Sequence, residues 1–533
     1  MSAEDSTRGG SRNLILAAMI FAVAMTFIDQ TIVSIAAPEV QKELGLTSTG
    51  VQWVINAYLL SLAAMFAFGG RLADTLGHRK MVTIGVVVFA GASVMCGLTP
   101  KGGAAEAWIV VFRVIQGVGG AIMFPAALAI VVQTFALRER GRALAIFFGI
   151  AGGLTAIGPM LGGYLTQWTW RAIFWVNIPV AVIALVLIAI SKPSTVYKPA
   201  RIDYRGLVLI AAGVGLSVFG FQQSAVWGWG NAATWLCVAV GAGILVWFYF
   251  VELRTAVPLM QVRIFRIRAF FVQNMVLGIS MMVFIPIFFF SSEYAQVALG
   301  KSPSQAGLYL LYFFLGFVVA AQVGGRMLDR AGAKRPVVLG CALAAVGFWL
   351  WAGKITDLSF GSQQLYIVMA GAGMGLMLGV ANTDAVNRAS RLSYGEATGI
   401  TQTVRNYGAS LGFAILGTIL VSQLRSRLTT SFIAQGLSPA KAHANASSLA
   451  QGSQGGGGGG VAGAIPHFVS VDFAYATRSV LYVMAAIMAA AAVVAFAGLR
   501  PGLQEQAGAE EAPAPPPELE LTGEADAGTS AAL

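Results

Sequence analysis

Two charged residues stand where charge is costly. Asp29 falls about 17 residues into the apolar stretch 13–36 and Arg113 about six into the stretch 107–135, at ~1.5 Å of helix per residue. If the first stretch leaves the cytoplasm and the fourth returns toward it, both lie in the outer half of a membrane. A carboxylate at that depth faces the interior of a helix bundle and needs a partner. There it takes up and gives back a proton according to its burial and the nearness of the guanidinium. The alternative is a static salt bridge joining two helices, although a fixed buried pair seldom offsets its own desolvation.

No histidine lies inside an apolar stretch, since His78, His443 and His467 are in or beside loops. Protons crossing the membrane would therefore travel on carboxylates. The other acid within a stretch is Asp384, which reads equally as a proton site or as a polar helix contact, while Glu293 and Glu396 stand at stretch edges. Proton coupling is expected of Asp29, Arg113 and Asp384. Gln116, Phe284, Phe288, Tyr309 and Tyr312 are expected to line a cavity for a small hydrophobic or cationic molecule, because aromatic faces attract both. Each aromatic residue taken singly also suits lipid contact or plain helix packing.

Composition decides which elements hold these residues. The 533-residue chain is 57% hydrophobic and 11% charged, against about 25% charged in a soluble domain. That excludes a soluble globule and predicts about fourteen membrane-spanning helices of roughly 20 residues each. With the N-terminus in the cytoplasm, 23 Lys and Arg fall on inside segments and 8 outside, the bias of a cytoplasmic face. Both termini are expected inside, and the first span is read as a retained helix because it carries an acid and no cleavage site. Cys96, Cys237 and Cys341 are scattered through apolar runs and define neither a disulfide framework nor a metal site.

The segment 69–80, Gly-Gly-Arg-Leu-Ala-Asp-Thr-Leu-Gly-His-Arg-Lys, recurs at 324–335 with five of twelve positions identical, an offset of 255. A duplication with the same orientation in both copies implies two six-helix halves related by an axis along the membrane normal. The expected organisation is a cytoplasmic N-terminus over 1–12, a first six-helix bundle over 13–192, and a linker with two extra helices over 193–268. A second bundle over 269–498 follows, with a flexible outside loop at 425–472 around Gly455–Gly460, and then a disordered acidic tail over 499–533. The repeat offset pairs Asp29 with Phe284 and Arg113 with Val368, so the halves are expected to be chemically unequal.

These residues resemble the major facilitator superfamily, up to about residue 424. Gly70-Arg71-Leu72-Ala73-Asp74 through Lys80 is similar to its loop motif between the second and third helices, and Arg113 through Gly120 to its fourth-helix motif. Gly152 through Gly163 is similar to the fifth-helix motif of antiporters. Asp29-Gln30-Thr31 with Pro38, and Trp170 through Pro179, resemble signatures of the fourteen-span drug/proton antiporter branch. Arg405 with Gln402 and Asn406 resembles a polar cluster of that branch, expected to meet substrate or Asp384.

The resemblance implies an all-α membrane protein of two six-helix bundles plus two inserted helices. It assigns a conformational lock to Gly70, Arg71, Asp74, Gly77, Arg79 and Asp329, with Arg138, Arg140 and Arg142 as partners; positive-inside topology alone is the other reading. It assigns helix sliding to Gly153, Gly158, Pro159, Gly162 and Gly163, where close-packed glycines let helices approach. The expected function is a secondary exporter of drugs or other toxic small molecules in exchange for protons, by alternating access. A proton-coupled uptake symporter or a lipid or metabolite exporter of the same fold is the alternative. No Gly-x-x-x-x-Gly-Lys-Ser/Thr loop is present, so ATP is not the expected energy source. An enzyme would need a nucleophile and base or a metal cluster, and neither is visible. A monomer in a bacterial cell (inner) membrane is expected, with no cofactor, metal or nucleic acid, and with protons, lipid and the transported molecule as its partners.

Overall fold

The computed structural model describes residues 3–135, 137–193, 203–389, 394–452 and 466–502. In chain order the first helices are α1 (Ala3–Leu44), α2 (Ser48–Leu76), α3 (His78–Gly97), α4 (Ala105–Thr134), α5 (Leu137–Trp168), α6 (Ala172–Trp175) and α7 (Asn177–Ser191). Next come α8 (Tyr204–Trp227), α9 (Ala232–Arg254), α10 (Arg268–Phe284), α11 (Pro286–Val297) and α12 (Pro303–Ala331). The last are α13 (Lys334–Lys354), α14 (Phe360–Asn387), α15 (Tyr394–Ala434), α16 (Pro439–Gly452) and α17 (His467–Gly498). Among the described residues there is no strand, and 13 helical segments are long and apolar enough to cross a membrane. Separately from these, α5 is a helix of 32 residues.

Local chemistry sets where helices begin and break. Thr47 caps α2 by accepting from the Gly50 amide at 2.9 Å, and Ser302 with Gln305 forms a capping box ahead of Pro303 on α12. Two stretches expected as single spans are interrupted at proline. Pro286 separates α10 from α11, and Pro179 lies just inside α7 after the break from α6. In each case the ring removes an amide donor and crowds the carbonyl four residues back.

The halves repeat one another contact for contact. In the first, α2 and α3 pack on α4, α1 on α5 and α7, and α3 on α7. In the second, α12 and α13 pack on α14, α10 on α15 and α17, and α13 on α17. The duplicated segments explain the correspondence. Gly77 (φ +97°) and Gly332 (φ +75°) end α2 and α12 in a conformation that side chains rarely adopt. Eight residues earlier, Gly69 and Gly324 bring α2 and α12 against the Ala121 and Leu376 carbonyls, leaving no room for a Cβ.

The halves meet at two seams, α2 on α15 and α5 on α12, with α1 also touching α11. The two inserted helices pair with each other, and α8 lies over the α2–α15 seam only. There Asn56 Nδ2 donates to Gln222 Oε1 at 2.6 Å and to the Ser410 carbonyl at 3.4 Å, tying the first half, the insert and the second half together.

Much of the described part of 425–472, expected as a loop, is helical. α15 runs on to Ala434, and Ala442, Ala446 and Ala450, spaced four apart, are fully buried where α16 packs on α15 and α2. Ser48 Oγ donates to the Ala450 carbonyl at 3.0 Å. The glycine run at 455–460 and the acidic tail beyond 502 lie outside the described residues.

Candidate functional site

Asp29 on α1 and Arg113 on α4 face each other inside the first half, with side chains 0% and 1% exposed. Arg113 Nη1 donates to Asp29 Oδ2 at 2.5 Å, and Gln116 Nε2 donates to Asp29 Oδ1 at 2.9 Å. The guanidinium also donates through Nε to the Val54 carbonyl at 2.8 Å and through Nη1 to Gln116 Oε1 at 2.7 Å, while the Tyr58 ring stacks 4.4 Å from its Cζ. Placing Gln116 three residues after Arg113 puts both on one face of α4, and that face meets α1 and α2. Gln116 therefore belongs to the charge network.

Residues of other spans hold this network in position. Ser93 on α3 accepts from Gln116 at 3.2 Å and from Asn177 Nδ2 at 2.9 Å, and donates to the Phe174 carbonyl at 2.9 Å. Farther out, Glu43 at the end of α1 accepts from Trp170 Nε1 at 2.7 Å and Arg171 Nη1 at 2.5 Å. The segment from Trp170 to Pro179 thus braces α1 at one end and the Asp29 network, through Ser93, at the other. Ser93 and Tyr58 belong to none of the motifs legible in the sequence, and Asn177 enters only as part of the Trp170–Pro179 signature. Each is a polar side chain within an apolar stretch, which was the available signal.

A narrow cavity opens between the halves one helical turn from Asp29. Thr26, Phe27 and Gln30 of α1, with Phe66 and Phe124, line one side; Gln402, Arg405 and Asn406 of α15 line the other. Phe124 packs on Phe27 and Phe66, with ring centroids 5.6 and 5.3 Å apart. Gln402 and Arg405 thus stand where a bound molecule would meet them, and Arg405 Nη1 donates to Gln402 Oε1 at 3.0 Å. The aromatic lining comes from the first half. Phe27 and Gln30 lie on the cavity face of the helix that carries Asp29, a spacing the sequence offered.

The aromatic residues expected to line the cavity stand inside the second half. Phe284 and Phe288 pack on Phe313, Phe314 and Phe317 between α10, α11 and α12. Tyr309 donates to Gln363 Oε1 at 2.6 Å and accepts from Trp351 Nε1 at 3.2 Å, while Tyr312 accepts from Gln364 Nε2 at 3.4 Å. Asp384 is buried and takes Arg388 Nε on both oxygens at 2.9 and 3.0 Å, with Gln273 Nε2 at 2.7 Å. Arg405 pairs with Gln402 and not with Asp384. Glu293 on α11 is fully buried, and neither carboxyl oxygen has a hydrogen-bond partner among the described residues.

On the duplicated loop, Asp74 Oδ1 lies 3.1 Å from His78 Nε2, and Arg71 Nε is buried without a partner among the described residues. Gly70 faces Pro125, Gly77 forms the turn, Arg79 is half-buried and Asp329 is exposed. The side chains of Arg138, Arg140 and Arg142 lie outside the described residues. Along α5, Gly158 and Gly162 pack on Thr31 and Ile32 of α1, while Gly163 approaches the Pro303 carbonyl and Gly307 of α12 approaches the Pro159 carbonyl. The surroundings of Gly153 lie outside the description. The α5 face thus joins the helix of Asp29 to the opposite half.

Every hydrogen bond between the halves among the described residues lies on the side where α1 ends and α2 begins. Gln296 Nε2 donates to the Ile35 carbonyl at 3.1 Å, Gln167 Nε2 to Ser304 Oγ at 2.5 Å, and the Ser48 and Asn56 bonds belong to the same layer. These bonds hold the halves together on that side.

Residues 19–413 match the model of the Major Facilitator Superfamily. The chain is 34% identical over 413 residues to the tetracenomycin C resistance and export protein of Streptomyces glaucescens, covering 77% of this chain and 76% of that protein. It is 30% identical over 413 residues to the multidrug resistance protein Stp of Mycobacterium tuberculosis, covering 76% and 75%. Its fold matches a bacterial homologue of the human lysosomal transporter Spinster in an inward-facing, unoccupied conformation, with TM-score 0.59, 17% identity, and coverage of 92% of this chain and 97% of that one.

Proposed function

Because the chain belongs to the Major Facilitator Superfamily, we propose that it is a secondary active exporter that moves toxic, largely apolar small molecules out of a bacterial cell in exchange for protons, by alternating access. Relatives named for antibiotic resistance and export support the direction of transport and the substrate class. The 13 apolar helical segments, taken together with the 32-residue α5, support a reading of fourteen spans, as in the drug/proton antiporter branch. The excess of Lys and Arg on one side supports cytoplasmic termini, and on that reading the side where the halves are joined by hydrogen bonds faces outward.

The buried Asp29–Arg113 pair is the observation that carries the proton coupling. A carboxylate with its counter-ion in a low-polarity interior changes the local balance of charge when it takes a proton, because the bond to Arg113 weakens. The partners on Asp29 come from α4, and α1 itself packs on α5 and α11. Protonation of Asp29 thus acts on the helices that form the seams, and substrate in the cavity one turn away competes for the same helix. Asp384 and Glu293 are second-half carboxyl groups through which a further proton can pass.

The test is proton-driven uptake of a fluorescent drug into everted membrane vesicles. Asp29→Asn is expected to abolish accumulation while the protein still reaches the membrane at wild-type amount. Undiminished accumulation by that variant would remove the carboxylate from the mechanism.

A further inference from the structure

Arg405 presents to the cavity a cation that nothing in the described protein neutralises. Of the buried acids, Asp29 pairs with Arg113 and Asp384 with Arg388, while Glu293 on α11 is not among the residues lining the cavity. No Asp or Glu among the described residues lines the cavity. Among the described residues, the only hydrogen bond of the Arg405 side chain is from Nη1 to Gln402 Oε1 at 3.0 Å, and Nε is buried without a partner. The Gln402 amide nitrogen and the Gln30 side chain, facing the same space, make no hydrogen bonds among the described residues. An uncompensated guanidinium inside a membrane bundle is expensive and is retained where it meets a ligand.

Opposite this cluster stand Phe27, Phe66 and Phe124. The lining thus combines an aromatic wall with a planar fork of donors that suits a carboxylate or another oxyanion, bound by charge-assisted hydrogen bonds. A cationic ligand would find no acid to pair with and one like charge to repel it.

We infer that the cavity selects aromatic or apolar substrates bearing an acidic group, held by Arg405 with Gln402 and Gln30, against the aromatic wall of the first half. This rests on reading the cavity as the substrate site of an exporter. It assigns anionic amphiphiles as the preferred cargo, in place of the small hydrophobic or cationic molecules expected from the aromatic residues.

The experiment uses the full-length protein in lipid nanodiscs and three fluorescent probes sharing one body: pyrenebutanoate, pyrenebutanamide and pyrenebutylammonium. The wild type is expected to bind the carboxylate at least tenfold more tightly than the amide, and the ammonium least. Arg405→Gln is expected to lose that tenfold while leaving amide affinity within twofold, and Arg405→Lys to recover part of it. Equal affinity for all three probes, tightest binding of the ammonium, or an equal loss of all three in Arg405→Gln would overturn the inference. Should Arg405→Gln fail to fold, the wild-type ranking and the Lys variant decide. Uptake of the amide into energised vesicles separately reports export: if the amide moves and the carboxylate is not preferred, the exporter reading stands and the anion site falls. If neither moves while the carboxylate still binds preferentially, the reverse holds.

Discussion

The two halves share one scaffold and differ in what they place at its heart. In the first half, α1 and α4 carry Asp29, Arg113 and Gln116, closed by Ser93 and Tyr58 from neighbouring helices. In the second, the repeat offset puts Phe284 and Val368 at the corresponding places, and Phe284 packs into a cluster of phenylalanines. The interior hydrogen bonds of that half lie instead in the Tyr294–Gln363–Tyr309–Trp351 cluster and around Asp384 with Gln273 and Arg388. Close glycine contacts at matching positions hold both bundles together in the same way. Packing thus survives duplication because it depends on small residues at fixed places, whereas chemistry needs particular polar partners and diverges. On the proposed reading, one half responds to a proton and the other offers Arg405 across the cavity.

The largest expected effect comes from splitting the charge pair. Arg113→Met leaves Asp29 buried without its counter-ion and is expected to cost about 3–5 kcal/mol of stability, read as a lowered melting temperature in detergent. The double variant Asp29→Leu with Arg113→Met should recover most of that stability yet stay inactive in vesicles. A double variant that transports would erase the functional difference between the halves.

Shared packing should respond alike. Gly69→Ala and Gly324→Ala each drive a methyl group into a facing carbonyl, with an expected cost of about 1–3 kcal/mol apiece. Gly325→Ala, with nothing near its Cβ, should stay within about 0.5 kcal/mol. A large effect at Gly69 beside none at Gly324 would break the equivalence of the scaffolds.

Among the buried positions, the smallest effect is expected from the second half's neutral network. Tyr309→Phe removes the hydroxyl that bonds Gln363 and Trp351 and should cost about 1 kcal/mol, with drug accumulation in vesicles unchanged. A loss of transport matching that of Asp29→Asn would show that the Tyr309 cluster serves coupling as well as structure.

The sequence by itself determined the helical class, the duplication and the inserted pair, because apolar length and a repeated loop are local properties of the chain. It also marked Asp29 and Arg113, since charges inside apolar stretches are few and depth follows from counting. It left Asp384 undecided between roles, and the Arg388 contact four residues on is local as well. What only the tertiary structure decided is which faces meet. Helical spacing alone does not say whether Phe288 points at a cavity or at Phe314, nor that Phe66 and Phe124 from separate helices share a wall with Phe27. Nor does it show that Arg405 lacks an acidic partner among the described residues, because neutralisation depends on which helix lies opposite. Those facts arise from packing between distant parts of the chain, where burial and charge compensation are settled.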